Sequence, residues 1–252
     1  MSAAAFFDLD RTLIRRSSTL ALAGPLRERG VISRWQLARS AVWQLVFAAR
    51  GVGAERIRSG AEDSMRLLAG FGVDEMRAVV GDAMEPILRP LLYAEPLRLV
   101  QRHRDRGERV YIVSTALQEI VEHLAADLGF DGAVGSTCEI VGGRYTGRPL
   151  RAVHGEAKAS AVRELAARDG LDLAASTAYS DSHSDLPFLE AVGRPLAVNP
   201  DAALRRVAAA RGWPVLDFDE LLLPPAPRAV PAAALAVPFA VGVWAASRRR
   251  AA

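Results

Sequence analysis

Five apolar residues followed at once by two carboxylates constrain this chain more than any other feature in it. Ala3-Ala4-Ala5-Phe6-Phe7 is apolar throughout, the pattern of a short strand covered on both faces. Asp8 and Asp10 follow where such a strand gives way to loop, and strand-like period points both the same way. Two like charges that close are unfavourable unless a cation joins them or one is protonated. A hard divalent ion such as Mg²⁺ takes oxygen ligands of this kind and keeps open positions for a substrate phosphate. The alternative is an acidic loop leading into the next helix, with Thr12 as its N-cap.

The rest of the chain alternates strand and helix signals. Leu97–Arg106 reads as a helix ended by Gly107, and Val110–Val113 as a strand ending in Ser114-Thr115. Leu117–Leu128 is a helix closed by Gly129, and residues 133–150 form a hairpin around Gly142-Gly143. A helix at Glu156–Arg168 and a strand at Thr177–Ser180 follow. After them come a helix (Leu186–Ala191), a strand (Pro195–Val198), a helix (Ala202–Ala210) and a last strand (Val215–Phe218). This order predicts an α/β fold, a doubly wound, Rossmann-like parallel sheet with helices on both faces. Ligands of such sheets bind beyond the carboxyl ends of the strands. Asp8/Asp10, Ser114/Thr115 and Asp181/Asp185 all fall at such ends, so they are expected to converge on one crevice.

Composition adds a second pointer. Lysine and arginine total 32, and Lys158 is the one lysine among them. An ammonium is a compact point charge and a guanidinium a planar fork, so a site that needs the former is not served by the latter. The net charge of +3 gives no phosphate-tracking surface, so no nucleic-acid partner is expected. The single cysteine, Cys138, cannot form an internal disulfide and suits a reducing cytosol. The first apolar run is too short for a secretory signal, and a cytoplasmic location is expected.

Taken together, Asp8-x-Asp10-x-Thr12, Ser114, Lys158 and Ser180-Asp181-x-x-x-Asp185 resemble the ordered motifs of the haloacid dehalogenase superfamily of phosphohydrolases. The likeness is to the phosphoserine-phosphatase-like subgroup and spans residues 5 to about 200. With its apolar tail, the whole chain is similar to phosphatase-like proteins of actinobacteria. The resemblance implies an Mg²⁺-dependent phosphomonoesterase acting on a small-molecule phosphate ester, small or lipid-related, through an aspartyl-phosphate. It implies Asp8 as nucleophile and Asp10 as general acid and base, with Mg²⁺ held by Asp8, the Asp10 carbonyl and Asp181. Asp185 would orient Lys158 or a metal-bound water, and Thr12 the loop. Ser114, Thr115 and Lys158 would bind the phosphoryl group. A non-catalytic protein of the same fold that binds phosphate or a partner is the other reading.

The resemblance also divides the chain. Residues 1–14 and 94–223 form the expected catalytic core, and residues 15–93 a helical cap inserted after the first strand. Within it, Ser33-Arg34-Trp35-Gln36 opens a helix to Arg50, and helices follow near Glu55–Leu68 and Asp74–Glu85. Phosphoserine phosphatases carry a glutamate shortly after the first motif to pair with the substrate ammonium. Here that place falls on Ser17, within Arg15-Arg16-Ser17-Ser18, which favours anions or polyols over phosphoserine. His183 is expected to face solvent from its loop, and His103, His123 and His154 to lie on the surface. Arg11, beside the aspartates, could touch phosphate, but that position more often varies without catalytic consequence.

Pro224-Pro225-Ala226-Pro227 reads as a stiff linker before an uncharged, mostly apolar stretch, Ala229–Ser247, and Arg248-Arg249-Arg250. Contact with a membrane surface through residues 229–250 is expected of it, spanning or interfacial. The alternative is a helix docked on the catalytic domain.

Overall fold

In the computed structural model, which describes residues 2–31 and 65–223, the apolar run is a strand, β1 (Ala4–Phe7). It lies at the middle of a sheet whose order among the described residues is β4-β3-β2-β1-β5-β6-β7. The other strands are β2 (Arg109–Leu117), β3 (Gly132–Val141), β4 (Arg144–Arg151), β5 (Thr177–Ser180), β6 (Arg194–Val198) and β7 (Val215–Leu216). All pairings are parallel except β3 with β4, the predicted hairpin. The described helices are α1 (Ser18–Ala21), α2 (Ala23–Glu28), α3 (Val73–Ala83), α4 (Ala94–Asp105), α5 (Gln118–Leu128), α6 (Glu156–Asp169), α7 (Leu186–Glu190) and α8 (Ala202–Arg211). The doubly wound α/β architecture is the one expected from the sequence.

Why β1 reads as continuously apolar is visible in its two faces. Ala5 and Phe7 enter one buried cluster with Ile112, Val198 and Tyr179, whereas Ala4 and Phe6 enter another with Val113, Ala178 and Ala197. Strand period 2 sends alternate side chains to opposite faces, and helices cover both. The chain lays β2 and β3 on one side of β1, then crosses back to lay β5, β6 and β7 on the other. The carboxyl end of β1 is therefore the switch point at which an open sheet leaves a crevice.

Several local expectations are corrected. The helix expected from Leu97 starts at Ala94, because Pro96 sits in its first turn, where the backbone N–H has no helical acceptor in any case. Strand β2 does not end at Val113 but runs on to Leu117, with a register shift against β3 between those two residues. The helix expected over Asp74–Glu85 ends at Ala83 and widens into a π turn at Met84–Leu88. Thr12 caps no helix: its loop folds back on Leu9, whose carbonyl accepts from the N–H groups of Leu13 (2.9 Å) and Ile14 (3.1 Å).

None of the three histidines expected on the surface is fully exposed, and His123 is half-buried. His103 is buried because it continues the inward stripe of α4 begun by Pro96 and Val100. Its Nε2 shares a 2.8 Å hydrogen bond with the Tyr179 hydroxyl, and its Nδ1 meets Glu108. His154 is half-buried, and its Nε2 is enclosed without a hydrogen-bond partner. His183 is exposed, as expected.

The described part of the insert is helical and continuous with the core. Met76, Val79 and Val80 of α3 share a cluster with Phe7 and Ile112, and the Val73 N–H reaches the Gly143 carbonyl of the hairpin (2.9 Å). The helix expected from Ser33 to Arg50, most of the one over Glu55–Leu68 and the whole of 224–252 lie outside the described residues. No helix among the described residues is long and apolar enough to cross a membrane.

Candidate active site

Asp8 is the first residue past β1, and its N–H still bonds to the Tyr179 carbonyl of β5 at 2.9 Å. The strand pairing thus holds the Asp8 backbone in place just as its side chain reaches the crevice. Across the gap, α6 presents Lys158 near its first turn, after Gly155 (φ 55°) turns the chain into the helix. The Lys158 ammonium donates to Asp8 Oδ1 at 2.5 Å and to Asp185 Oδ2 at 2.6 Å. It also lies 4.7 Å from the centre of the Phe188 ring. Ser180 Oγ donates to the same Asp185 oxygen at 2.6 Å. All four polar residues are buried, and Lys158 is only 1% exposed.

This cluster holds more negative charge than its ammonium neutralises. Burial pushes Asp8 well above the usual carboxylate range; Lys158 opposes that shift, and Asp185 and Asp181 add to it. For Lys158, burial works against the ammonium, yet the charges of Asp185 and Asp8 outweigh it and the net shift is upward. Lys158 therefore stays protonated, and the carboxylates call for more positive charge.

Asp10 and Asp181 complete the group. The Ser18 N–H donates to Asp10 Oδ1 at 2.8 Å, placing that half-buried carboxyl under the start of α1. Burial raises the Asp10 pKa, with the Ser18 N–H pulling the other way. Asp181 follows β5 directly and is buried. Burial lifts its pKa to about 7, with Arg11 opposing and Asp185 adding. Arg11 has φ 63°, a left-handed conformation rare outside glycine, and its Nε donates to Asp181 Oδ2 at 2.6 Å.

The loop between Asp181 and Asp185 is tied from a residue the sequence reading missed. Asp201, the N-cap of α8, accepts from Ala203 (2.9 Å) and Leu204 (2.8 Å) with one oxygen. Its other oxygen accepts from the His183 N–H at 2.9 Å, and its own N–H bonds to the Asp181 carbonyl at 2.8 Å. Despite its burial, those N–H groups hold the Asp201 carboxyl below its usual pKa. The signal was an Asn-Pro-Asp run ahead of an alanine-rich helix, a cap pattern with nothing to mark it as functional.

Not every expected residue faces the crevice. Thr115 Oγ1 donates to the Val153 carbonyl at 2.9 Å, so its hydrogen is committed to the backbone. Ser114 is buried, and its Oγ accepts from the Ala116 N–H at 3.2 Å, which leaves its own proton to give. Thr12 Oγ1 is enclosed with no partner. The expected convergence thus holds for Asp8, Lys158, Asp181 and Asp185, with Asp10 on the adjoining loop.

As to a metal, no three carboxylate, histidine or cysteine side chains among the described residues form a ready cage. The donor chemistry nevertheless fits Mg²⁺, which needs one or two carboxylates and keeps several waters. The Asp181 charge adds to the upward shift of the Asp8 pKa, and each of the two carboxylates pairs with a protein cation, so both are suited to a dication.

Comparison with known proteins gives the family. The haloacid dehalogenase-like hydrolase family matches residues 5–190, and the chain belongs to that family. It is 41% identical to the inhibition of morphological differentiation protein of Streptomyces azureus, over 98% of this chain and 94% of that protein. It is 40% identical to a probable phosphatase of Mycobacterium tuberculosis, over 95% and 84% of the two chains. A phosphoserine phosphatase of the same organism is 36% identical over 86% and 71%. Among solved structures, a protein of unknown function from Bordetella pertussis superposes with a TM-score of 0.75 at 32% identity, covering 86% of this chain and 99% of that one.

Proposed function

We propose that this chain is an Mg²⁺-dependent phosphomonoesterase that hydrolyses a small, anionic or polyol phosphate ester through an aspartyl-phosphate on Asp8. The observation that carries this reading is the bridge from Lys158 to both Asp8 and Asp185, with Asp10 anchored separately by Ser18. Relatives named as phosphatases support the reaction class.

Each residue then has a task its surroundings suit. An Asp8 oxygen attacks phosphorus, and the bond from phosphorus to the ester oxygen breaks. Asp10, whose raised pKa favours the protonated form, gives its proton to that leaving oxygen. In the second half, Asp10 takes a proton from water as the water attacks phosphorus, the Asp8–phosphorus bond breaks, and phosphate leaves. Lys158 and the Ser114 hydroxyl donate to the phosphoryl oxygens where charge accumulates. Asp185, backed by Ser180, keeps the Lys158 ammonium in place. Mg²⁺, held by Asp8, Asp181 and the Asp10 carbonyl, would supply the charge that keeps Asp8 ionised against an anionic substrate.

Residues 15–93 are read as the cap that selects substrate, over a core made of 1–14 and 94–223. Ser17, half-buried one residue from the Asp10 anchor, offers no charge to a substrate ammonium, which disfavours phosphoserine. Asp8→Asn tests the reading. It is near-isosteric and removes one of the crowded carboxylates, so the variant should fold, retain Lys158 in its pocket, and show no turnover of an aryl phosphate with Mg²⁺. A substantial fraction of wild-type activity in that variant would remove Asp8 as nucleophile. If wild type itself turns over no member of a phosphate-ester panel that includes phosphoserine, the binding-protein reading takes its place.

A further inference from the structure

Arg11 has a position that the phosphatase reading does not use. It is the residue directly after Asp10, and 170 positions separate it from its partner Asp181. Both its Nε and a terminal nitrogen converge on one Asp181 oxygen. The Asp181 side chain is 6% exposed, while that of Arg11 is 54% exposed, so the guanidinium reaches in from the mouth of the crevice. A left-handed φ at a non-glycine residue is strained and persists where the surroundings hold it. Here the grip on Asp181 ties the loop after β1 to the loop after β5.

Asp181, read above as a metal ligand, is thus held by a protein cation at Oδ2. A guanidinium and a dication cannot both sit against that oxygen, since the two repel each other and compete for the same lone pairs. Once displaced, Arg11 stays beside Asp10 with Arg15 four residues on, and both charges act on the Tyr93 hydroxyl. The group that then pairs best with a planar, permanently charged fork is an oxyanion.

We propose that Arg11 is a two-position binding residue: it neutralises Asp181 in the metal-free protein and, when Mg²⁺ takes its place, turns to a phosphoryl or other anionic oxygen of the substrate. This rests on the reading of Asp181 as a metal ligand. It makes Mg²⁺ and Arg11 competitors before substrate arrives, and makes Arg11 a contributor to anion affinity afterwards.

Titration calorimetry of Mg²⁺ into metal-free wild type, Arg11→Ala, Arg11→Gly and Asp181→Asn, without substrate, tests the first position. Both Arg11 variants should bind Mg²⁺ about fivefold more tightly than wild type, and Asp181→Asn more weakly. Arg11→Gly relieves the backbone strain whereas Arg11→Ala keeps it, so agreement between them assigns the effect to the guanidinium. The second position is read with inorganic phosphate as probe on the Mg²⁺-loaded proteins, where Arg11→Ala should bind about tenfold more weakly and Arg11→Lys in between. Unchanged or weaker Mg²⁺ binding in the Arg11 variants overturns the proposal, as does wild-type phosphate affinity in Arg11→Ala. If wild type binds Mg²⁺ and Asp181→Asn weakens it while Arg11→Ala does nothing, this inference alone fails. Absence of Mg²⁺ binding by wild type removes the metal reading and the inference with it.

Discussion

Lys158→Met replaces an ammonium by a thioether of similar reach and leaves two carboxylates facing one another in a closed pocket. Lys158 donates at 2.5 Å to Asp8 and 2.6 Å to Asp185, and all three side chains are under 10% exposed. Removing one partner of a buried ion pair costs about 3–5 kcal/mol, because the charge left behind is neither solvated nor paired. The Phe188 ring contact persists with a thioether, so the loss is electrostatic and not a cavity. The penalty has a ceiling, since one of the orphaned carboxylates can take up a proton. Such a carboxylate has its folded pKa above its unfolded one, so its stabilisation is present at low pH and lost as pH rises. The deficit of the variant should therefore shrink as pH is lowered, by up to about 1.4 kcal/mol per unit wherever the variant holds a proton that wild type does not, until ordinary carboxylates near pH 4 protonate in the unfolded chain too.

For a domain of this size, about 3–5 kcal/mol corresponds to a drop in Tm of roughly 6–20 °C. Thermal unfolding followed by circular dichroism, in chelator and at pH 7.5 and 5.5, gives both values. We expect a large deficit at pH 7.5 that falls to half or less at pH 5.5. A Tm within about 2 °C of wild type at pH 7.5, or a deficit that does not change with pH, would refute the account of Lys158 as the counter-ion of a crowded acidic cluster.

Other variants test neighbouring parts of the site. Lys158→Arg keeps the charge, but its fork cannot serve Asp8 and Asp185 from one point; kcat should fall by ~10²-fold, measured on an aryl phosphate with saturating Mg²⁺. Asp181, held up to about pH 7, gives metal-free wild type stability that is complete near pH 4 and lost as pH rises to 7. The stability difference between wild type and Asp181→Asn should decline over that window by up to about 4 kcal/mol, and saturating Mg²⁺ should flatten it. Burial holds the His154 pKa below its usual value, which works in the opposite sense in both proteins and cancels in the difference. A difference that rises with pH counts against the assignment. Asp201→Ala should cost about 1–2 kcal/mol in denaturant unfolding through the lost cap, and should weaken Mg²⁺ binding by loosening the loop of Asp181 and Asp185. Unaltered Mg²⁺ affinity would mean that the loop holds its shape without Asp201.

Much of this molecule follows from local pattern. The run Ala3–Phe7 is apolar at every position because helices cover both faces of β1, and with the alternating strands and helices that follow it implies a parallel, doubly wound sheet. Once β1 is central, carboxylates after β1 and β5 must share the crevice at the switch point, which is why Asp8, Asp181 and Asp185 were legible as one site. The lone lysine was legible for a different reason: an ammonium was kept where every other cation is arginine. Partnerships between side chains were not legible in this way. Arg11 looked dispensable beside the aspartates, and only the fold brings Asp181 to it across 170 residues. His103 looked like a surface residue until α4 turned it inward against Tyr179, and Thr115 like a phosphate ligand until the Val153 carbonyl claimed its hydroxyl. Periodicity and turn chemistry act over a few residues and so are written in the chain. Which charge neutralises which is settled by distances of 2.5–2.6 Å between segments far apart in sequence, and those exist only once the sheet and helices have packed.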